Sequence, residues 1–218
     1  CLGYVYGGGN KADINATVNL KIDNNSTIYG NAFGGGNLGK VLENVTFNIE
    51  NSSVTNEIYG AGNMAQVGSD ETKTAVTLNI NSVNAQKVYG GANAALAIGE
   101  VNVNIYSGNI KEIYGAGNGE HSVVTGDDTG EENPAKVSGN IYLNVENTVS
   151  DNIYGGGNLG FAEKSTNVKA KNISLTDSIY GGGNASRVKK DTYLYVSGGT
   201  INGSVYAGGN GVFAVVEG

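Results

Sequence analysis

One short phrase recurs eight times along this chain of 218 residues and constrains its fold more than any other feature. The phrase consists of an aliphatic or small residue, an aromatic residue, three small residues that are mostly glycine, and an asparagine. The copies occupy residues 5–10, 32–37, 58–63, 88–93, 113–118, 153–158, 179–184 and 205–210. Successive aromatic positions are 27, 26, 30, 25, 40, 26 and 26 residues apart, so the common unit is close to 26 residues. A repeat of this length is typical of one coil of a parallel β-solenoid.

A second recurring segment precedes most copies of the phrase. Apolar and polar residues alternate strictly in it, as in residues 18–22, 45–49, 76–80, 101–105 and 141–145. This period of two predicts a strand with one buried and one solvated face. One isolated apolar residue then follows before the phrase and predicts a short middle strand; these residues are Val54, Val83, Ile110, Val149 and Ile201.

The sequence therefore predicts an all-β fold, a single-stranded parallel β-helix with about 26 residues and three short strands per coil and about eight coils. Residues 1–218 are predicted to form one β-helix domain that belongs to a longer protein, and residues 119–134 are predicted to be an inserted loop within the long gap. One coil cannot pair its own backbone groups or bury its own apolar row, so the coils must stack.

The glycines of the phrase are expected to permit positive φ angles and close backbone approach. The asparagine that closes each phrase tolerates the left-handed region and can join a ladder of side-chain amides. The predicted ladder comprises Asn10, Asn37, Asn63, Asn93, Asn118, Asn158, Asn184 and Asn210. Phosphate binding by the glycines is not expected, because no Lys-Ser/Thr follows any copy.

The sequence V-S-G-G-T-I-N-G-S-V-Y-A-G-G-N at residues 196–210 resembles the coils of large repetitive surface proteins of gut bacteria. Those proteins are described as adhesin-like and are similar to the pectate-lyase type of right-handed β-helix. The resemblance implies a right-handed coil, which agrees with the preferred hand of parallel crossovers. It also implies an adhesive or structural role in a secreted or cell-surface protein of a bacterium. It implies no particular activity, because this fold carries lyases, hydrolases, phage tailspikes and adhesins.

The aromatic residue of each phrase follows an aliphatic residue, so its ring is predicted to point outward if the aliphatic side chain points inward. An exposed row of rings beside glycines and amides could stack on sugar rings. The predicted binding residues are Tyr59, Tyr89, Tyr114, Tyr154, Tyr180 and Tyr206. The alternative is a structural stack that covers the backbone or turns inward.

The inserted loop is rich in carboxylates and is the candidate metal site. Its proposed calcium ligands are Asp127, Asp128, Glu131 and Glu132, although their spacing matches no EF-hand template. The alternative is an acidic loop without a metal, and no other cofactor is expected.

Charge and composition narrow the function further. The net charge of −7 and the pI near 4.7 argue against a nucleic-acid partner, which requires a basic stripe. No apolar run approaches the roughly 20 residues that cross a bilayer. His121 and Arg187 are the only residues of their kinds and lie in different coils, so no catalytic residues are predicted. Glycans or host surface proteins are the predicted partners, and a fragment of a polysaccharide lyase or glycoside hydrolase is the alternative.

Overall fold

The structure is a computed structural model that describes residues 2–119 and 135–218, and the described residues contain strands and turns but no helix. The strands are β1 (Val5–Tyr6), β2 (Val18–Ile22), β3 (Thr27–Ile28), β4 (Ala32–Phe33), β5 (Val45–Val54), β6 (Glu57–Tyr59), β7 (Thr74–Tyr89), β8 (Glu100–Tyr114), β9 (Ile141–Glu146), β10 (Thr148–Ser150), β11 (Asn152–Tyr154), β12 (Thr166–Leu175), β13 (Ile179–Tyr180), β14 (Thr192–Ile201) and β15 (Val205–Tyr206).

The chain winds as a parallel β-solenoid of about seven turns with about 26 residues per turn. Each strand of the described part pairs in parallel with the equivalent strand of the coil before or after it, as β5 pairs with both β2 and β7. This confirms the predicted fold class and repeat length, with about seven turns in place of the predicted eight coils.

The core lies inside the coils and is built from columns of like residues. One column, read from coil to coil, contains Leu20, Phe47, Leu78, Val103, Leu143, Val168 and Leu194. The predicted alternation is confirmed, because β5 and β9 each bury every second residue over Val45–Ile49 and Ile141–Val145. Each buried aliphatic side chain of this kind contributes about 1.5–3 kcal/mol.

The corners between the long and middle segments differ from the prediction of three separate strands. In β7 and β8 the long segment, the middle segment and the Tyr-containing segment form one hydrogen-bonded strand. In β5 and β7 the chain bends at a corner residue with a positive φ angle, 46° at Asn51 and 54° at Ser82. The left-handed asparagines are therefore at these corners, whereas none of the phrase-closing asparagines has a positive φ.

One of the isolated apolar residues that predicted the middle strand, Val149, lies in a strand but faces outward, unlike Val54, Val83 and Ile110. Val149 is exposed, because it aligns with Asn109 and Ser174 on the outer side of the coil. Ser150 takes the inward position, in register with Leu175. Its hydroxyl donates to backbone carbonyl oxygens of Lys111 and Asn152 at 3.1 and 3.2 Å, so the buried polar group is satisfied.

A further inward column follows the phrase and was not predicted. It is held by isolated parallel bridges and comprises Ile14, Val41, Val67, Ala97, Val137, Ala162, Val188 and Val216. In most coils this residue comes four positions after the phrase asparagine, which is the sequence signal for it. Val137 pairs with both Ala97 and Ala162, so the column stays in register across the predicted insertion.

Candidate binding surfaces

The aromatic residues of the phrases form one continuous stack along the solenoid. Consecutive rings from Tyr6 to Tyr206 are 4.8–5.0 Å apart between centroids, with interplanar angles of 2–11°. This spacing is that of neighbouring β-strands, so the strand pairing sets the stack. The rings pack in a cluster separate from the aliphatic core.

This tyrosine column is buried along most of its length, which corrects the expectation of an exposed row. Tyr59, Tyr89, Tyr114 and Tyr154 are 0–5% exposed, Tyr180 is half-buried, and only Tyr206 in the last coil is exposed, at 48%. Two phrase asparagines contact the phenolic end of Tyr59. The Tyr59 hydroxyl lies 3.3 Å from Asn93 Oδ1 and accepts a hydrogen bond from Asn118 Nδ2 at 3.3 Å. The buried rings therefore have no open face for a ligand.

Carboxylates at the strand position two residues earlier hold the phenols of two rings. The Tyr59 hydroxyl is 2.6 Å from Glu57 Oε2, and the Tyr114 hydroxyl donates to Glu112 Oε2 at 3.1 Å. Lys87 lies between these two carboxylates in the ladder and pairs with Glu112 at 2.9 Å. Burial first, and the nearby carboxylates second, raise the pKa of Tyr59 and Tyr114 well above the ordinary value. Burial and the neighbouring Tyr180 raise the pKa of Tyr154 to about 12. The phenols of Tyr59 and Tyr114 are thus neutral hydrogen-bond partners of these carboxylates.

The phrase asparagines form an amide ladder beside the tyrosine column. Each Nδ2 donates to the Oδ1 of the preceding coil at 2.8–3.1 Å, in seven consecutive steps from Asn10 to Asn210. Such a ladder uses one N–H and one oxygen lone pair of each amide. It ties every coil to the next along the same edge as the stacked rings.

The first glycine of the phrase is required by close approach and not by its φ angle. A Cβ on Gly90 would meet the carbonyl oxygen of Gly115 in the next coil, and none of the phrase glycines has a positive φ. The last copy has Ala207 at this position, where the described coils end. The second and third positions tolerate alanine in some copies, as at Ala61 and Ala92.

A second amide ladder lies on the outward face of the long strands. Asn79 donates to Asn48 at 2.8 Å, Asn104 to Asn79 at 2.9 Å, and Asn144 to Asn104 at 2.9 Å. We call these four residues the amide face. The strand alternation predicts that these residues face outward, but the ladder was not predicted; its signal is asparagine at the same strand position in four consecutive coils.

A shallow groove of about 330 Å³ lies beside the amide face. Its walls include Lys21, Glu50, Asn81 and the ring of Tyr106, with Asn48 and Asn79 between them. Tyr106 is the additional residue of a β-bulge, because Ile80 pairs with Ile105 while Asn81 pairs with Ser107. A bulge re-aims a side chain, and the Tyr106 side chain is exposed in the groove.

Exposed tyrosines also occur on the same outward face in the last coils. Tyr193 and Tyr195 are 56% and 62% exposed on β14, and Tyr142 is half-exposed on β9. Between them on β12 lie the exposed Lys169 and Lys171. We call these five residues the Tyr/Lys patch.

The described residues contain no group of three or more His, Cys, Asp or Glu side chains that could hold a metal ion. The proposed calcium ligands Asp127, Asp128, Glu131 and Glu132 lie outside the described residues. Arg187 contacts Glu217 at 3.2 Å and lies over the Phe161 ring at 5.3 Å. Within residues 2–119 and 135–218, no helix is long and apolar enough to cross a membrane.

Comparison of the chain with protein-family models, with curated proteins and with solved structures finds no match. The fold therefore defines the protein as a parallel β-solenoid, and any statement about its activity depends on its own surface.

Proposed function

We propose that this chain is a structural and adhesive segment of a secreted or cell-surface protein and that it binds glycans through the outward face of its long strands. The observation that carries the proposal is the amide face, a row of evenly spaced amides on an otherwise short-chained polar surface, with an exposed tyrosine ring beside it. The buried tyrosine column has no part in this binding surface.

The amide face has hydrogen-bonding capacity left for a ligand. A carboxamide has two N–H donors and two oxygen lone pairs, and the ladder uses one of each on an interior member such as Asn79. The neighbouring outward column holds Thr46, Thr77 and Asn102, which add hydroxyl and amide groups at the same spacing. Sugar hydroxyls both donate and accept hydrogen bonds, so this regular mixture complements a saccharide chain.

The aromatic ring supplies the apolar half of sugar recognition. Tyr106 projects beside Asn79 and Asn81 and is 51% exposed. Tyrosine has an apolar body with a polar tip, which suits a surface that is partly wet. Together the groove floor and this ring fit a saccharide that stacks on one side and forms hydrogen bonds on the other.

The proposed role does not include catalysis. Catalytic acids and bases are usually found where a cleft shifts their pKa. Among the described residues, the groups with a raised pKa are Lys21, which bonds to Asp23 and Glu50, and phenols of the tyrosine column. The carboxylate that these arrangements place beside the amide face, Glu50, is held in an ion pair with Lys21 at 3.0 Å.

A glycan array with the purified chain tests the proposal. Binding of neutral glycans without new reducing or unsaturated ends is the expected result. Asn79→Thr with Asn104→Thr should weaken that binding and preserve the fold, since threonine already occupies the adjacent column at Thr46 and Thr77. The matched control is Asn84→Thr with Asn109→Thr, which changes two exposed asparagines on the middle segments of the same two coils.

Two results would overturn the proposal. Equal loss of binding in both double variants would show that the amide face is not the site. Release of shortened sugars by the unmodified chain would instead favour the lyase or hydrolase alternative.

A further inference from the structure

The Tyr/Lys patch differs from the amide face because charge and aromatic rings are combined in it. Strand pairing places Tyr142, Asn167 and Tyr193 in one outward column. The adjacent column places Lys169 between Asn144 and Tyr195. Adjacent coils are about 4.8 Å apart, and alternate residues of a strand are about 6.6 Å apart. The five side chains are therefore close enough together for one ligand molecule to contact them.

The two lysines of the patch have no ion-pair partner within 4 Å in the described part of the chain. Four other lysines of this acidic protein form ion pairs with described residues, namely Lys21, Lys87, Lys136 and Lys189. Lys21, for example, occupies the same strand column as Lys169 but pairs with Asp23 and Glu50 at 3.0 Å each. Glu146 is in register with Lys171 without forming an ion pair with it. The ammonium groups of the patch are therefore available to an anionic ligand.

The aromatic members of the patch limit what kind of anion fits. Tyr193 and Tyr195 are more than half exposed and follow each other on one face of β14, next to the lysines of β12. A small inorganic anion would leave these rings unused. A nucleic acid needs a longer basic stripe than two lysines in a chain of net charge −7. A sugar ring with a carboxylate or sulfate uses both the aromatic face and the charge.

We propose that the Tyr/Lys patch binds anionic saccharides, with Lys169 and Lys171 contacting the carboxylate or sulfate and Tyr193 and Tyr195 stacking on the sugar ring. The proposal rests on the glycan-binding function proposed above and adds a charge preference and a second location to it. Ion pairs between these lysines and the ligand would be exposed to solvent. Salt should therefore weaken the binding, because it screens interactions between solvent-exposed charges.

Calorimetric titration with a hyaluronan tetrasaccharide tests the proposal. The unmodified chain should bind this carboxylated sugar more tightly than its methyl ester, which keeps the rings and removes the charge. Lys169→Gln with Lys171→Gln should weaken binding of the acid about 2-fold to 30-fold and leave binding of the ester nearly unchanged. A chondroitin sulfate tetrasaccharide in parallel distinguishes sulfate from carboxylate recognition.

Two further variants locate the site. Tyr195→Ala should weaken binding of both the acid and the ester, because the stacking surface is lost. Lys111→Gln is the matched control: it removes an exposed lysine on the middle segment of β8, outside both the groove and the Tyr/Lys patch, and should leave the affinity for the acid unchanged.

The outcomes separate the two proposals. If neutral glycans bind in an Asn79- and Asn104-dependent way but the acid binds no more tightly than its ester, the anionic site is wrong and the glycan-binding function stands. Equal weakening by the Lys111 and Lys169/Lys171 changes would also overturn the site. Absence of binding to every glycan would overturn both.

Discussion

Tyrosine occupies two regions of this solenoid and has opposite roles in them. Tyr114, in the column that follows the aliphatic residue of each phrase, is 2% exposed and stacked between two other rings. Tyr195, on the outward face of the last long strand, is 62% exposed. Both side chains point away from the aliphatic core of their coil.

The residues that follow each tyrosine explain the difference. After Tyr114 the chain continues through small residues to Asn118, whose amide joins the asparagine ladder and donates to the hydroxyl of Tyr59, another ring of the column. After Tyr195 the strand continues, and no segment of the described chain crosses back over the ring. Strand alternation thus determines which side of the strand a ring occupies, whereas a returning loop determines whether that side is surface.

Truncation of a tyrosine ring should give the largest difference in stability between the two regions. Tyr114→Ala should lower the free energy of unfolding by about 3–5 kcal/mol, since it opens a cavity in the middle of the stack. Tyr193→Ala removes an exposed ring and should change it by less than about 0.5 kcal/mol. Urea denaturation followed by circular dichroism measures both.

Tyr114→Phe is the control for the loss of the hydroxyl alone. It keeps the stack, as Phe33 does in its own coil, and removes the hydrogen bond to Glu112. A cost of about 0.5–1.5 kcal/mol is expected. If Tyr114→Ala proved no more costly than Tyr193→Ala, the column would not be a structural core.

A smaller effect concerns the glycines that bring the phrase loops together. Gly90→Ala should cost about 1–3 kcal/mol, because the new methyl group meets the Gly115 carbonyl oxygen and the side chains of Val101 and Val103. Gly208→Ala is the matched change, since a Cβ there has no atom within 4 Å in the described coils. Thermal unfolding should separate the two variants, and equal melting temperatures would contradict the close-approach account.

Much of the architecture could be predicted because the repeat carries it. The recurrence of the phrase requires equivalent residues to stack, and the alternation in residues such as Val45, Phe47 and Ile49 identifies the inward face. The asparagine ladder followed from one amide at one position in every coil. Each of these features is encoded within one coil, and every coil repeats it, so the pattern recurs along the sequence.

The remaining features depend on geometry that a periodic pattern does not contain. Val149 is exposed since alternation restarts at each corner, where a residue such as Asn147 with a φ of 44° changes the direction of the chain. Tyr106 reaches the groove only because a bulge adds one residue to its strand. The burial of Tyr59 depends on contacts with Asn93 and Asn118, which are 34 and 59 residues away.

The last expected effect is a change in stability at alkaline pH that originates in the buried column. Burial raises the pKa of Tyr154 from its ordinary value near 10 to about 12, so the folded chain retains a proton that the unfolded chain loses. Stability should therefore be independent of this group below pH 10 and decrease as the pH rises from 10 to 12. Urea midpoints measured across this interval should decrease less steeply in Tyr154→Phe, with Tyr193→Phe as the control for a phenol outside the column. An equal reduction of the slope by both changes would contradict the assignment of the effect to the buried stack.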